Sequence, residues 1–84
     1  MSAALRLYIV SGTPTSDRAL GAIAAVREAT GAAVDVVDLR EHPEVAEAER
    51  IVATPLLVRL DVQPARRVVG DLSDPERVRW SLGL

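Results

Sequence analysis

The sequence has no cysteine, no lysine and no phenylalanine, and it has one histidine, one tryptophan and one tyrosine. Each gap removes a class of chemistry. Without cysteine there is no disulfide, no thiolate nucleophile and no cysteine-bound zinc, and a lone His42 leaves little but carboxylates for a metal site. All ten basic residues are arginine, as a genome rich in GC codons would give, and this usage carries no chemistry of its own. They are interspersed with twelve acidic residues for a net charge of −2, so there is neither the basic stripe that nucleic acid requires nor a polybasic membrane patch. Long hydrophobic runs are also missing, since none approaches the ~20 apolar residues of a membrane span. The opening "MSAALRLYIV" lacks the basic start, the long apolar stretch and the cleavage site of a signal peptide. A cytoplasmic protein that binds neither nucleic acid nor membrane is expected.

What is present is aliphatic. The apolar share is 49%, supplied by Ala, Val, Leu and Ile, with Tyr8 and Trp80 the only aromatic residues. A chain of 84 residues suffices for one compact domain over 1–84, and a domain of this size buries roughly 60 to 65% of its unfolded surface. No repeat, linker or low-complexity tract interrupts it.

Hydrophobic periodicity and stop signals give an order of elements. "LRLYIV" (Leu5 to Val10) alternates and then closes on apolar residues, as a central strand does. Thr13 then suits a helix N-cap and Pro14 the first helical position, where a missing N–H costs nothing. The helix runs through Leu20, Ile23 and Val26 to Thr30, with Gly31 placed for a left-handed C′. "AVDVVDL" (Ala33 to Leu39) reads as a second strand parallel to the first. Glu41 to Ile51 reads as a short surface helix with Pro43 near its start and Arg50 near its end. Pro55 opens a third strand, "QPARRVVG" a fourth in an antiparallel hairpin turning at Asp61 to Pro64. In the closing "SDPERVRWSLGL", Ser73 and Glu76 have capping-box spacing, and Val78 and Leu82, with Trp80 nearby, supply apolar contacts.

The resulting order, β-α-β-α-β-β-α, is that of thioredoxin-like α/β proteins. Where redox members of that class carry Cys-Pro-x-Cys, this chain has Thr13-Pro14-Thr15-Ser16. A hydroxyl ionises far too weakly to replace a thiolate, so disulfide exchange is excluded. Thr54-Pro55 resembles the X-Pro that such proteins hold cis before the third strand, and Pro55 is expected to be cis on that resemblance.

Three blocks carry a closer resemblance: "LRLYIVSGTPTSDRAL", "VVDLREHPEVAEAERIVATP" and "RRVVGDLSDPERV". Nothing in a general thioredoxin-like chain requires Arg66-Arg67-x-x-Gly70-Asp71-Leu72-Ser73 to stay together. The chain resembles the KaiB family of circadian clock proteins, together with the related N-terminal domain of SasA sensor kinases. That resemblance implies a non-catalytic adaptor without cofactor, docking on the N-terminal ATPase ring of a KaiC-like, RecA-type hexamer and modulating its phosphorylation and ATPase cycle. A KaiA-like protein or a histidine kinase would be a further partner or competitor. It also implies fold switching between a thioredoxin-like monomer that binds and a dimeric or tetrameric resting state with the second half rearranged. The chain stops at Leu84 without the family's acidic tail, and "WSLGL" departs from the usual C-terminal segment, so the thioredoxin-like arrangement is expected to be favoured. Glu41 stands where many family members have lysine. An input domain of a SasA-like kinase is the alternative, and a small-molecule or redox enzyme of thioredoxin-like fold, such as one that binds glutathione noncovalently, is a third.

The individual residues admit plainer accounts. Thr13 to Ser16 read as a cap and helix start, because no general base accompanies the hydroxyls. His42 reads as a capping or loop residue. Asp71 and Asp74 read as helix caps in preference to a metal or acid-base pair, and Tyr8 as a core or sheet-face residue. Arg66 and Arg67 either alternate across an edge strand or contact a partner, since arginine is enriched at interfaces. Arg18, Arg40 and Glu41 join them as candidate partner contacts.

Overall fold

A computed structural model describes residues 3–84. The elements follow in the order β1 (Ala4–Ile9), α1 (Pro14–Thr30), β2 (Ala33–Asp38), α2 (Pro43–Ala48), β3 (Leu56–Arg59), β4 (Arg66–Val69) and α3 (Pro75–Leu82). The strands lie side by side as β2-β1-β3-β4, with β1 parallel to β2 and antiparallel to β3, and β3 antiparallel to β4. The fold class expected from the sequence is therefore present, and β1 is central.

Alternation along β1 divides the interior into two unequal parts. Leu5, Leu7 and Ile9 pack with Ala19, Ile23 and Val26 of α1, Leu57 of β3, and Val78 and Leu82 of α3. Tyr8 points the other way and joins Leu56 and Val58, with Val37, Leu39, Val45 and Ile51 packed around them. One sheet face thus has two helices against it. The other has α2, which spans six residues and has none of them buried.

The turn from β1 to α1 is a hydrogen-bonded helix start. Thr13 is in the extended region and its Oγ1 accepts from the Ser16 N–H at 3.4 Å while donating to the Val10 carbonyl at 2.8 Å. Ser16 is fully buried, and its Oγ accepts from the Val10 N–H at 3.1 Å. Both hydroxyls are therefore committed to backbone, and Pro14 follows at the first helical position as expected. At the far end Gly31, at φ 72°, donates its N–H to the Arg27 carbonyl, a left-handed cap that glycine adopts without strain.

Three local expectations need correction. The cap of α3 is Asp74, whose carboxylate accepts from the N–H groups of Glu76 and Arg77, and the Ser73–Glu76 capping box does not form. Pro75 decides this, because proline favours the first helical position and pushes the residue before it into the extended region a cap requires. Ser73 instead donates its N–H to Asp71 Oδ1 at 3.0 Å, and Glu76 pairs with Arg79 at 3.3 Å. Trp80 does not join the core: it is 84% exposed, two residues from both Val78 and Leu82 and so on the opposite side of the helix.

The third correction is α2, which ends at Ala48 and not near Ile51. The Ile51 N–H bonds to the Ala46 carbonyl at 2.8 Å and the Arg50 N–H to the Glu47 carbonyl at 3.2 Å, the two bonds of a Schellman ending. Ile51 packs in the same cluster as Val45, supplying the apolar contact that accompanies this motif. The position glycine usually takes is filled by Arg50 at φ 55°, which costs about 1 kcal/mol for a residue with a side chain.

An ion pair ties the two ends of the chain together. Arg59 Nε and Nη2 each lie 3.1 Å from the Asp61 carboxylate, while Nη1 donates to the Leu82 carbonyl at 2.8 Å, at the end of α3. Asp61 Oδ1 also accepts from the Ala4 N–H at 3.0 Å. Hydrogen bonding from Arg59, and then from Ala4, lowers the Asp61 pKa from 3.8 to about 2.

Two predictions follow from these contacts. Asp74→Ala should lower the unfolding free energy by about 1 kcal/mol, and Ser73→Ala by less than about 0.5 kcal/mol, measured by urea denaturation. Because the Asp61 pKa is depressed in the folded state, its contribution is fully present above pH 3.8 and is lost as pH falls through about 2. Asp61→Asn should therefore lower the melting temperature at pH 7, with the gap to the unsubstituted chain closing across that acid window. A constant gap down to pH 2 would show that the carboxylate charge is not what matters.

Candidate functional site

Two clefts open at the end of the sheet where β3 begins and β4 ends. The first, of about 460 Å³, lies among Thr15 and Arg18 of α1, the Thr54-Pro55 segment, and Gly70, Asp71 and Leu72 after β4. The Thr54-Pro55 peptide is cis, as expected, and so is Gln63-Pro64, which the sequence did not suggest. This cleft borders the start of α1 through Thr15. Here the nearby hydroxyls of Thr13 and Ser16 are occupied by backbone. His42 stands at the start of α2 with Nδ1 3.6 Å from Glu44 and makes no capping hydrogen bond. Among the described residues no three histidine or carboxylate side chains gather as metal ligands.

The second cleft is a groove of about 230 Å³ on the sparsely covered face, lined by Arg50, Ile51, Val52, Ala53, Leu56, Arg67 and Val69. Val52 is 99% exposed and Val69 is 55% exposed. Sheet alternation places Val69 beside Leu56 and Arg67 beside Val58, on the face that carries Tyr8. Arg67 extends towards the loop after α2, with Nη2 3.4 Å from the Glu49 carbonyl. The charged side chains lining the groove are both arginines, in a chain whose net charge is −2. An apolar floor with arginine at its sides has the composition of a protein-binding surface. β4 is an edge strand, so backbone beside the groove is open to pairing as well.

The five arginine and glutamate candidates named from the sequence fall in different places. Arg67 borders the groove. Arg66, its neighbour on β4, points to the opposite face and comes within 3.5 Å of the Ser81 carbonyl near the end of α3. Arg18 lines the first cleft. Arg40 and Glu41 lie in the turn from β2 to α2, where Arg40 Nε donates to the Ser11 carbonyl at 2.6 Å and the Glu41 N–H to the Asp38 carbonyl at 3.1 Å. Asp38 binds this turn together: its carboxylate accepts from the N–H groups of Ser11 and Arg40, and hydrogen bonding with Ser11 and then Arg40 holds its pKa below the usual carboxylate value. Sequence reasoning missed Arg50, Val52 and Val69. An apolar residue just ahead of a strand reads as core, and nothing local shows that Val52 faces solvent.

Comparison with known proteins supplies an identity for the fold and its sequence. The sequence model described as "KaiB domain" matches residues 6–84. The circadian clock oscillator protein KaiB of Prochlorococcus marinus (strain MIT 9313) is 43% identical over 83 residues, a match spanning 95% of this chain and 70% of that protein. KaiB of Synechococcus sp. (strain RCC307) is 41% identical over 83 residues, spanning 95% of this chain and 76% of its own. Among solved structures, chloroplastic thioredoxin z superposes with a TM-score of 0.85 at 20% identity, over 98% of this chain and 76% of that one. The N-terminal domain of Synechococcus elongatus SasA superposes with a TM-score of 0.72 at 22% identity, over 99% of this chain and 85% of that one. These two likenesses describe the fold, which is thioredoxin-like. The length of the match and its level of identity settle the rest: the chain belongs to the KaiB family.

Proposed function

We propose that this chain is a non-catalytic regulatory adaptor of circadian-clock type, which docks on the N-terminal ATPase ring of a KaiC-like hexamer and modulates its phosphorylation and ATPase cycle. Membership of a family whose relatives are named as clock oscillator proteins supports this reading. The observation that carries it is the open groove, with Val52 wholly in solvent beside Val69 and with Arg50 and Arg67 along its sides. Apolar surface of that kind, flanked by arginine, gains free energy when a partner covers it. Arg50 stands at the edge of this groove in a left-handed conformation that glycine adopts without strain. In this reading the binding form is a monomer in the cytoplasm, and a KaiA-like protein or a histidine kinase competes or joins once the ring is engaged. A dimeric or tetrameric resting fold would act as a reservoir.

A second reading, an input domain of a SasA-like kinase, draws on the likeness to the SasA N-terminal domain. It uses the same ring as partner but requires no change of fold.

Titration of N-terminally labelled chain into the KaiC-like ATPase, followed by fluorescence anisotropy with ATP and with ADP, tests the proposal. Saturable binding that depends on the nucleotide is expected. Val52→Asp should weaken it by tenfold or more, on the order of the loss at an interface hot spot. Absence of binding under every nucleotide condition would contradict the adaptor reading. The time course reports the resting fold: a rate that rises with partner concentration indicates a chain already in its binding fold, as either reading allows, and a slow rate that saturates indicates a resting fold and contradicts the kinase-type reading.

Arg50→Gly supplies an independent check. It should raise the unfolding free energy by about 1 kcal/mol by relieving the left-handed strain, while weakening association with the ring. Raised stability with undiminished binding would assign Arg50 no part in the surface.

A further inference from the structure

The outer side of β4 is unfilled, and the ladder shows which of its peptide groups are free. The Leu60 N–H bonds to the Ala4 carbonyl at 2.8 Å, one residue beyond the β1–β3 register, so Leu60 turns its peptide groups towards β1. Alternation along β3 then turns those of Arg59 and Leu57 towards β4, where Arg66 and Val68 stand opposite them and are bonded inwards. Arg67 and Val69 therefore aim N–H and carbonyl away from the sheet. Among the described residues none of these four groups is hydrogen-bonded to another main-chain group. All four strand residues except Val68 are exposed, so nothing in the chain covers this edge. Such groups are a template for one more strand.

An added strand also needs room for side chains on each face, and β4 has a hollow on both. A residue opposite Val69 would lie over the apolar floor of the groove, beside Leu56 and Val52, and one opposite Arg67 would lie against its guanidinium. The residue between them, opposite Val68, would turn to the other face, into a hollow of about 280 Å³ that Val68, Leu72 and Val78 line beside α3. Arginine on each face of the edge repels a second β4 or any basic strand and favours a carboxylate. We propose that β4 accepts an extended segment of a partner protein whose successive residues are aliphatic, aliphatic and acidic, set opposite Val69, Val68 and Arg67. The order is that of antiparallel pairing, the more stable of the two arrangements. This inference rests on the reading of the groove as a partner surface and names the chemistry of the element that enters it.

The test is a titration of the full nitrogen-15-labelled chain with the capped peptide N-acetyl-Thr-Val-Val-Glu-Thr-amide, and in parallel with its Lys-for-Glu counterpart. The acidic peptide should give saturating shifts at the amides of Arg67 and Val69, with a Kd on the order of 1 mM. At ~10 mM peptide, hydrogen exchange at these two amides should slow about tenfold, while Arg66 and Val68, already bonded to β3, change little. That alternation separates strand addition from simple cover of the groove. The lysine peptide should bind about fivefold or more weakly. Val69→Pro removes an outward N–H and no bond to β3, and should abolish binding; Arg67→Glu should reverse the preference between the peptides. No shift at ~10 mM peptide, equal binding of both peptides, or shifts without slowed exchange at Arg67 and Val69 would each overturn the proposal. Protection of these amides that rises with chain concentration in the absence of peptide would overturn it too, by giving the edge to a second copy. Because the peptide is used without the ring, these outcomes hold whether or not the ring binds, and a chain that takes the peptide but not the ring would contradict the adaptor reading alone.

Discussion

The structure depends on a mismatch between its sheet and its helices. A sheet with β1 at its centre presents two apolar faces, and covering a sheet face is what stabilises a layered α/β protein. Here α1 and α3 cover one face, closing over Leu5, Leu7 and Ile9, and the other is left to the six-residue α2. Tyr8, Leu56 and Val58 are nevertheless buried, because Val45 and Ile51 reach them from α2 and the segment that follows. Arg6 lies beside the Tyr8 hydroxyl and pairs with Asp35 at 3.1 Å, and hydrogen bonding with Tyr8 first, then Asp35, raises its pKa. Cover runs out towards β4, and there the groove begins.

The end of α2 sets the shape of that groove. Once Ile51 anchors on the sheet next to Val45, the backbone must reverse at Arg50, and the left-handed turn sends Val52 outwards. A feature that serves packing therefore also creates the exposed apolar surface. Arg67 connects the two parts by reaching from β4 towards the Glu49 carbonyl. The first cleft arises just across the same strand ends, where the cis Thr54-Pro55 peptide leads into β3 and Gly70 leaves β4. Through Thr15 it borders the start of α1, where the Thr13 and Ser16 hydroxyls are bonded to backbone.

What could be read from the sequence was what local chemistry decides. Thr13, Pro14 and Gly31 define α1 because the cap, the helix start and the left-handed end each depend on one residue type. β1 and β2 announce themselves through β-branched and alternating residues, and their pairing follows from the helix between them. The end of α2 was not legible, since it is decided by Ile51 docking on the sheet and places arginine where glycine is usual. At α3 two good capping residues stand side by side, and Pro75 selects Asp74 over Ser73. Arg66 and Arg67 looked like one basic feature, but adjacent residues of a strand face opposite ways, so one attends α3 and the other the groove. Family blocks found the fold and the family. They did not find Val52, whose exposure depends on the direction in which a loop points.

The most direct test of this account is a hydrogen-exchange footprint of the chain, free and saturated with the KaiC-like ATPase. The amides of Arg50 to Ala53 and of Arg67 to Val69, beside the groove, should become protected, while exchange across α1 stays as it was. Protection confined to α1 and α3, with the Arg50–Ala53 segment exchanging as in the free chain, would contradict the assignment of the sparsely covered sheet face as the partner surface.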